Sequence, residues 1–324
     1  LESTTEQELT EVQEIMEQIK EQLSKVIIEQ EEMIELSLIS LLSEGHVLVE
    51  GVPGLAKTLL VRSLSEILEL DFNRVQFTSD LMPADITGTK IFNMKSREFE
   101  LQKGPVFTNF LLGDEINRTP PKTQAGLLEA MEEGSVTIDG ELHKLPQPYM
   151  IIATQNPLEY EGTYPLPEAM LDRFLMKIIV DYPSNEAESS ILKQHDRGFS
   201  AVDLDGAKLE TVCTAQDIRD CRKQVQQVKV DEALIDYMVA ITAETRDNSA
   251  IEVGSSPRGS IALLRCSKAR AAYHGREYII PEDIKQMVVP ILRHRIDLRA
   301  ELELEQVKPK QVLEDILSKL EVPR

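Results

Sequence analysis

No apolar run in the 324 residues approaches the length needed to cross a bilayer. The longest, around Leu36 to Leu42, is short and interrupted by serines. The amino end has no basic region followed by an apolar stretch, so no secretory signal is visible and a cytoplasmic protein is expected. Cysteine is scarce: Cys213, Cys221 and Cys266 form no CxxC pair and leave an odd one over. That pattern fits reduced thiols, not a disulfide frame or a zinc site. The five histidines are scattered, without HExxH or similar ligand spacing. Internal repeats and low-complexity tracts are also missing. Positive charge is in deficit, with 35 Lys and Arg against 56 Asp and Glu and a formal net charge of -21. Such a surface repels phosphate backbones and anionic lipid heads, which disfavours non-specific nucleic-acid or membrane binding.

What is present is an ordinary globular composition, 42% apolar and 28% charged, at a length that favours two domains. Glu6 to Lys25 reads as a helix, with Leu9, Val12, Met16, Ile19, Leu23 and Val26 spaced in three- and four-residue steps. That spacing suits a short coiled coil or, as expected here, a helix packed on its own domain. A second helix, Glu31 to Ser43, is apolar on most faces and should be buried. From His46 the pattern changes to strands alternating with helices. A strand over His46 to Glu50 is followed by a Gly/Pro-rich turn and a helix from Lys57 to Leu68. Further strands are expected at Arg74 to Thr78, Asn109 to Leu112, Tyr149 to Thr154 and Leu175 to Val180. Thr119 to Glu133 reads as one helix, with Pro120 and Pro121 in its first turn and Gly134 past its end. Asp139-Gly140 marks a hairpin over Ser135 to Leu145. Strands and helices in this order indicate a mostly parallel sheet covered on both faces. After Asp181-Tyr182-Pro183 the strand signal disappears. The composition shift predicts an α/β core over residues 1–183, including the N-terminal helices, and an all-helical second domain over residues 184–324.

Three segments carry chemistry. Gly51-Val52-Pro53-Gly54-Leu55-Ala56-Lys57-Thr58 lies between a strand and a helix, and the contacting stretch runs on to Leu59. A glycine-rich loop turns backbone N–H groups inward and a helix N-terminus adds its dipole, which together suit phosphate oxygens. Lys57 is placed to reach the β- and γ-phosphates, and the Thr58 hydroxyl to ligate Mg2+. Ala56 stands where a glycine usually precedes the lysine, so a strict GxxxxGK[ST] pattern misses the loop. The second segment, Phe110 to Glu115, is a buried apolar strand ending in two acids, an arrangement that is costly without a counter-charge. Magnesium supplies one for Asp114, directly or through water, and Glu115 then accepts a proton from the attacking water. The third, Ala153 to Pro157, follows a strand and offers Asn156 to orient water. Arg173 and Arg258 are candidates to stabilise charge developing on a γ-phosphate.

The order and wording of these segments resemble the MoxR family of AAA+ ATPases. The likeness rests on Gly45 to Thr58, Asp114-Glu115-Ile116-Asn117-Arg118 with Pro121 to Gln124, and Ala153 to Pro157. It extends through Pro167 to Phe174, Ser256-Pro257-Arg258 and Leu292 to Arg295. The resemblance implies an AAA+ P-loop core with a helical lid, an ATPase using ATP/ADP and Mg2+, and a homo-oligomeric ring, by analogy a hexamer. It implies that Asn156 follows the phosphate in its own subunit, that Arg258 is the lid sensor of that subunit, and that Arg173 completes a neighbour's site. Gly88 to Gly104 would be the insert before the acid strand. Val26 to Gln30 resembles the adenine-contacting stretch, with Glu29 where a glycine is common. The implied role is chaperone-like activation of partner proteins, often proteins with a von Willebrand factor A domain. A nucleic-acid motor, a metal-chelatase subunit and a nucleotide-gated scaffold share parts of the pattern.

Overall fold

A computed structural model describes residues 2–52, 54–157, 162–200 and 204–323. Two helices lead the chain, α1 (Glu2–Ser24) and α2 (Glu31–Leu42), followed by β1 (His46–Glu50), α3 (Lys57–Ile67) and β2 (Phe72–Gln76). A short α4 (Pro83–Thr87) precedes the hairpin of β3 (Gly88–Asn93) and β4 (Glu98–Lys103), which is the expected insert. Next come β5 (Phe110–Asp114), α5 (Pro121–Gln124), α6 (Leu128–Glu133) and a second hairpin of β6 (Ser135–Ile138) and β7 (Glu141–Lys144). Asp139 and Gly140 turn that hairpin with φ of 49° and 82°, the left-handed pair that a two-residue loop requires. The core closes with β8 (Met150–Gln155), α7 (Glu168–Leu171) and β9 (Phe174–Ile179).

Five strands form one parallel sheet in the order β2-β5-β8-β1-β9. Its inner strands β1, β5 and β8 are apolar and buried along nearly their whole length, as a sheet covered on both faces demands. Alternate side chains serve two apolar clusters. Val47, Val49, Leu112 and Ile152 face one, whereas Leu48, Leu111 and Ile151 face the other. Strands β1, β5 and β8 all end on the same edge, and the P-loop segment, the acid pair and Asn156 follow there. This is where open α/β sheets present ligands.

After β9 the chain turns helical with α8 (Asn185–Asp196), capped by Ser184 Oγ, which accepts from the Ala187 N–H at 3.2 Å. It continues with α9 (Ala215–Gln227), α10 (Glu232–Asp247), β10 (Ile251–Val253) and α11 (Pro257–Tyr273). α12 (Pro281–Leu292), β11 (Asp297–Leu298), α13 (Ala300–Leu304) and α14 (Pro309–Lys319) complete it. Helix α1 buries Leu9, Val12, Met16, Ile19 and Leu23 completely and packs against α3, α9 and α11. Its three- and four-residue spacing therefore serves packing within the chain.

Two expectations need correction. The helix over Thr119 to Glu133 is broken into α5, a 3-10 turn at Ala125–Leu127 and α6. Gly126 sits in that turn, and the buried Gln124 side chain donates to the Ile116 and Thr119 carbonyls, pinning the chain before a regular helix can propagate. The second domain is helical but not wholly so: β10 and β11 pair antiparallel. Strands of three and two residues are too short to show a period of two.

Candidate functional site

The loop after β1 is held tightly before it opens. Gly51 N–H donates to the Gln155 carbonyl at 3.2 Å, and a Cβ on Gly51 would lie 2.8 Å from the Val180 carbonyl oxygen. Only glycine fits there. Gly54 has φ of 90° and faces open space, and Ala56 has φ of 56° and ψ of 9°. The left-handed turn at Ala56 aims the first N–H groups of α3 into the cleft. This explains why glycine is usual at that position and why alanine carries a steric cost there. Pro53 lies outside the described residues. Lys57 Nζ donates to the Gly51 carbonyl at 2.5 Å, and burial holds its pKa below the ordinary lysine value, against the attraction of Asp114, Glu115 and Glu50. A half-buried ammonium resting on a carbonyl of its own loop is placed to exchange that partner for an anion.

Across the cleft, Asp114 ends β5 and Glu115 follows it in a left-handed conformation, φ of 56° and ψ of 48°. Thr154 at the end of β8 joins them: its Oγ1 donates to Asp114 Oδ1 at 2.5 Å and accepts from the Glu115 N–H at 2.9 Å. Asp114 also accepts from Arg74 Nη2 at 2.6 Å. Glu115 Oε2 accepts from Gln76 Nε2 at 2.9 Å and forms an ion pair with Arg118, whose Nε lies 2.7 Å away. Asn156 is buried, just past β8, and lines the same cavity. Arg74 and Gln76 were not singled out in the sequence, and Arg118 and Thr154 lie in segments that were, without a role of their own.

The cavity has a volume of 430 Å³ and divides into a polar and an apolar end. Gly54, Leu55, Ala56, Lys57, Thr58 and Leu59 form one wall together with Asp114 and Glu115. At the other end Val26 and Ile28 from the α1–α2 connection meet Pro183, in the segment after β9, and Ile191, His195 and Phe199, in and just after α8. The His195 and Phe199 rings meet edge to face at 5.7 Å. Glu29, between Ile28 and Gln30, has φ of 55°, so it too occupies a glycine conformation. Its carboxylate accepts from the Ser184 N–H at 2.7 Å, tying the connection to the start of α8. The donor set fits a triphosphate with a hard divalent cation. It comprises one ammonium, the first amides of a helix, a threonine hydroxyl and two carboxylates. The apolar end fits a flat ring.

Arg173 and Arg258 do not line this cleft. They border a separate cavity of 220 Å³ and converge on Glu132 in the last turn of α6. Arg173 Nη2 and Nε donate to Glu132 Oε2 at 2.6 and 3.1 Å, and Arg258 Nη2 donates to Oε1 at 3.1 Å. Arg258 was expected to attend its own subunit's phosphate. Here its guanidinium instead faces Glu132 and, at 3.6 Å, Asp172. Ser256, which caps α11 by accepting from the Arg258 N–H, sets that direction from the first turn of the helix.

Comparison with known proteins agrees with this geometry. Residues 46–176 match the ATPase family associated with various cellular activities (AAA), and residues 243–316 match the AAA lid domain. The chain is 45% identical over 303 residues to YeaC of Bacillus subtilis, a protein without an assigned function, covering 94% of this chain and 93% of that one. It is 38% identical to chaperone MoxR1 of Mycobacterium tuberculosis, over 94% of this chain and 81% of the relative. A crystal structure of a protein from Cytophaga hutchinsonii proposed to be an ATPase superposes with a TM-score of 0.91 at 39% identity, covering 99% of both chains.

Proposed function

The chain belongs to the MoxR family of AAA+ ATPases, and from that premise we propose that it hydrolyses ATP with Mg2+ to remodel or activate partner proteins. The observation that carries this reading is the single cleft in which Lys57, Thr58, Asp114, Glu115 and Asn156 converge. Lys57 leaves the Gly51 carbonyl for the β- and γ-phosphates, and the amides at the start of α3 take the remaining oxygens. Thr58 and Asp114 hold the magnesium, which offsets phosphate charge when bound. Thr154 fixes the Asp114 carboxylate for this and, through the Glu115 N–H, sets the direction of the acid beside it.

Glu115 accepts the proton of the attacking water. For that its carboxylate must leave Gln76 and Arg118, so the pairing seen here is a resting state of the base. Asn156 orients the water. Arg173 and Arg258 lie together on a face away from their own cleft, which supports both acting on a neighbour's γ-phosphate. That arrangement needs head-to-tail contacts that close into a ring, by family analogy a hexamer. The relative named a chaperone supports a protein client, and by the family resemblance alone proteins with a von Willebrand factor A domain are the first to test.

The test is a pair of variants. Glu115→Gln should retain ATP binding and lose turnover by about 100-fold or more, the scale of a removed general base. Lys57→Ala should lose ATP binding itself. Normal phosphate release by Glu115→Gln, or full ATP affinity in Lys57→Ala by calorimetry, would remove the assignment.

A further inference from the structure

The two arginines outside the cleft share one counter-ion, and they come from different parts of the chain. Arg173 precedes β9 in the core and Arg258 opens α11 in the lid. All three nitrogens of Arg173 are engaged within its own subunit: Nε and Nη2 on Glu132 and Nη1 on the Ala169 carbonyl. Asp172 offers Arg258 only a 3.6 Å contact through Oδ2, which accepts from Ser256 Oγ at 3.3 Å, while its Oδ1 accepts from Arg295 Nε at 3.0 Å. Glu132 is therefore the principal anion for both guanidiniums. Its carboxyl is held below the ordinary glutamate range, first by the hydrogen bond from Arg173 and its charge, with a smaller contribution from Arg258. The pairs are open to water, with side-chain exposures of 44% for Glu132, 21% for Arg173 and 49% for Arg258. Exposed ion pairs of this kind exchange partners readily. A terminal phosphate offers more charge and more acceptor oxygens than one carboxylate and suits the same planar donors.

We propose that Glu132 is a positioning residue that parks Arg173 and Arg258 within their own subunit and is displaced when the neighbouring subunit presents a triphosphate. This rests on the two arginines acting across the subunit boundary. While parked, neither guanidinium is free for the neighbour. Once phosphate takes them, the core and the lid lose their shared carboxylate together. Glu132 thus sets how much triphosphate is needed to join one subunit to the next, without touching the nucleotide itself.

Nucleotide-driven assembly reads this out directly, by light scattering on the full chain carrying Glu115→Gln so that ATP persists. Adding Glu132→Gln keeps the shape and removes the charge. It should lower the ATP concentration for half-maximal assembly by about two- to fivefold, the scale of a surface counter-ion. In a chain that also carries Arg173→Ala and Arg258→Ala, Glu132→Gln should change nothing. An unchanged or higher ATP requirement in the first comparison overturns the proposal. So does an equal shift without the arginines, which would mark Glu132 as structural. The underlying placement is tested apart: Arg173→Ala mixed with Lys57→Ala should regain ATP turnover in mixed rings. Rescue without a Glu132→Gln shift removes only the parking role, and no rescue in verified mixed rings removes the cross-boundary placement and the parking role with it.

Discussion

Ala56 shows what a single residue contributes. The sequence marks it as a departure from the usual glycine, and its φ of 56° shows what the departure costs. A side chain in the left-handed region is disfavoured by about 1–2 kcal/mol, and glycine returns about 0.4–1 kcal/mol of that through its looser unfolded state. Ala56→Gly should therefore stabilise the chain by about 0.5 kcal/mol with ATP affinity retained. A lower denaturation midpoint would contradict the argument. Glu115 adopts the same conformation at the acid pair, where backbone strain of this kind tends to collect. The Lys57 loop, Asp114, Glu115 and Asn156 could be singled out because each follows a strand at a telling spacing, and the fold gathers them on one cavity. Arg74, Gln76 and Arg118 could not be assigned a role, because their partners are reached only through the parallel pairing of β2 with β5 and the turn after Glu115. Glu132 was hidden for a similar reason: a glutamate in the last turn of an acidic helix looks solvated until two distant arginines arrive on it.

At the level of elements, periodicity succeeded where segments are long. The steps from Leu9 to Leu23 gave α1 its buried stripe, and the alternation of strands and helices gave the parallel sheet. It failed at Gly126, where a glutamine side chain competes with helix propagation, and at β10 and β11, whose five residues hold no detectable period. Helix α1 supplies a sharp energetic test. Met16 is completely buried in the cluster that joins α1 to the sheet and the lid. Met16→Ala should cost about 2–5 kcal/mol of stability, the range for a large-to-small change in a packed core. A loss below about 1 kcal/mol by denaturant titration would mean that α1 is only loosely applied.

For the molecule as a whole, stability should fall on the acid side of neutrality. His46 is buried and neutral, accepting from the Ile151 N–H at Nδ1, which leaves Nε2 to donate to the Met131 carbonyl. Burial pushes its pKa from 6.5 down to about 4. The unfolded chain takes up a proton below pH 6.5 that the folded chain refuses until about pH 4, so stability is complete above that window and falls as the pH drops through it. The loss from this group alone reaches about 3 kcal/mol. His294 is lowered by burial and by Arg295 and adds in the same direction. Denaturant midpoints should fall between about pH 6.5 and pH 5, and a flat profile would refute it. The composition shift near Pro183 was visible in the sequence, whereas the packing of residues from α1 onto both sides of that shift was not. α1 lies along α3, which begins with Lys57, and along α9 and α11 of the lid. Loosening α1 therefore strips packing from the helix that carries Lys57 and from two lid helices at once.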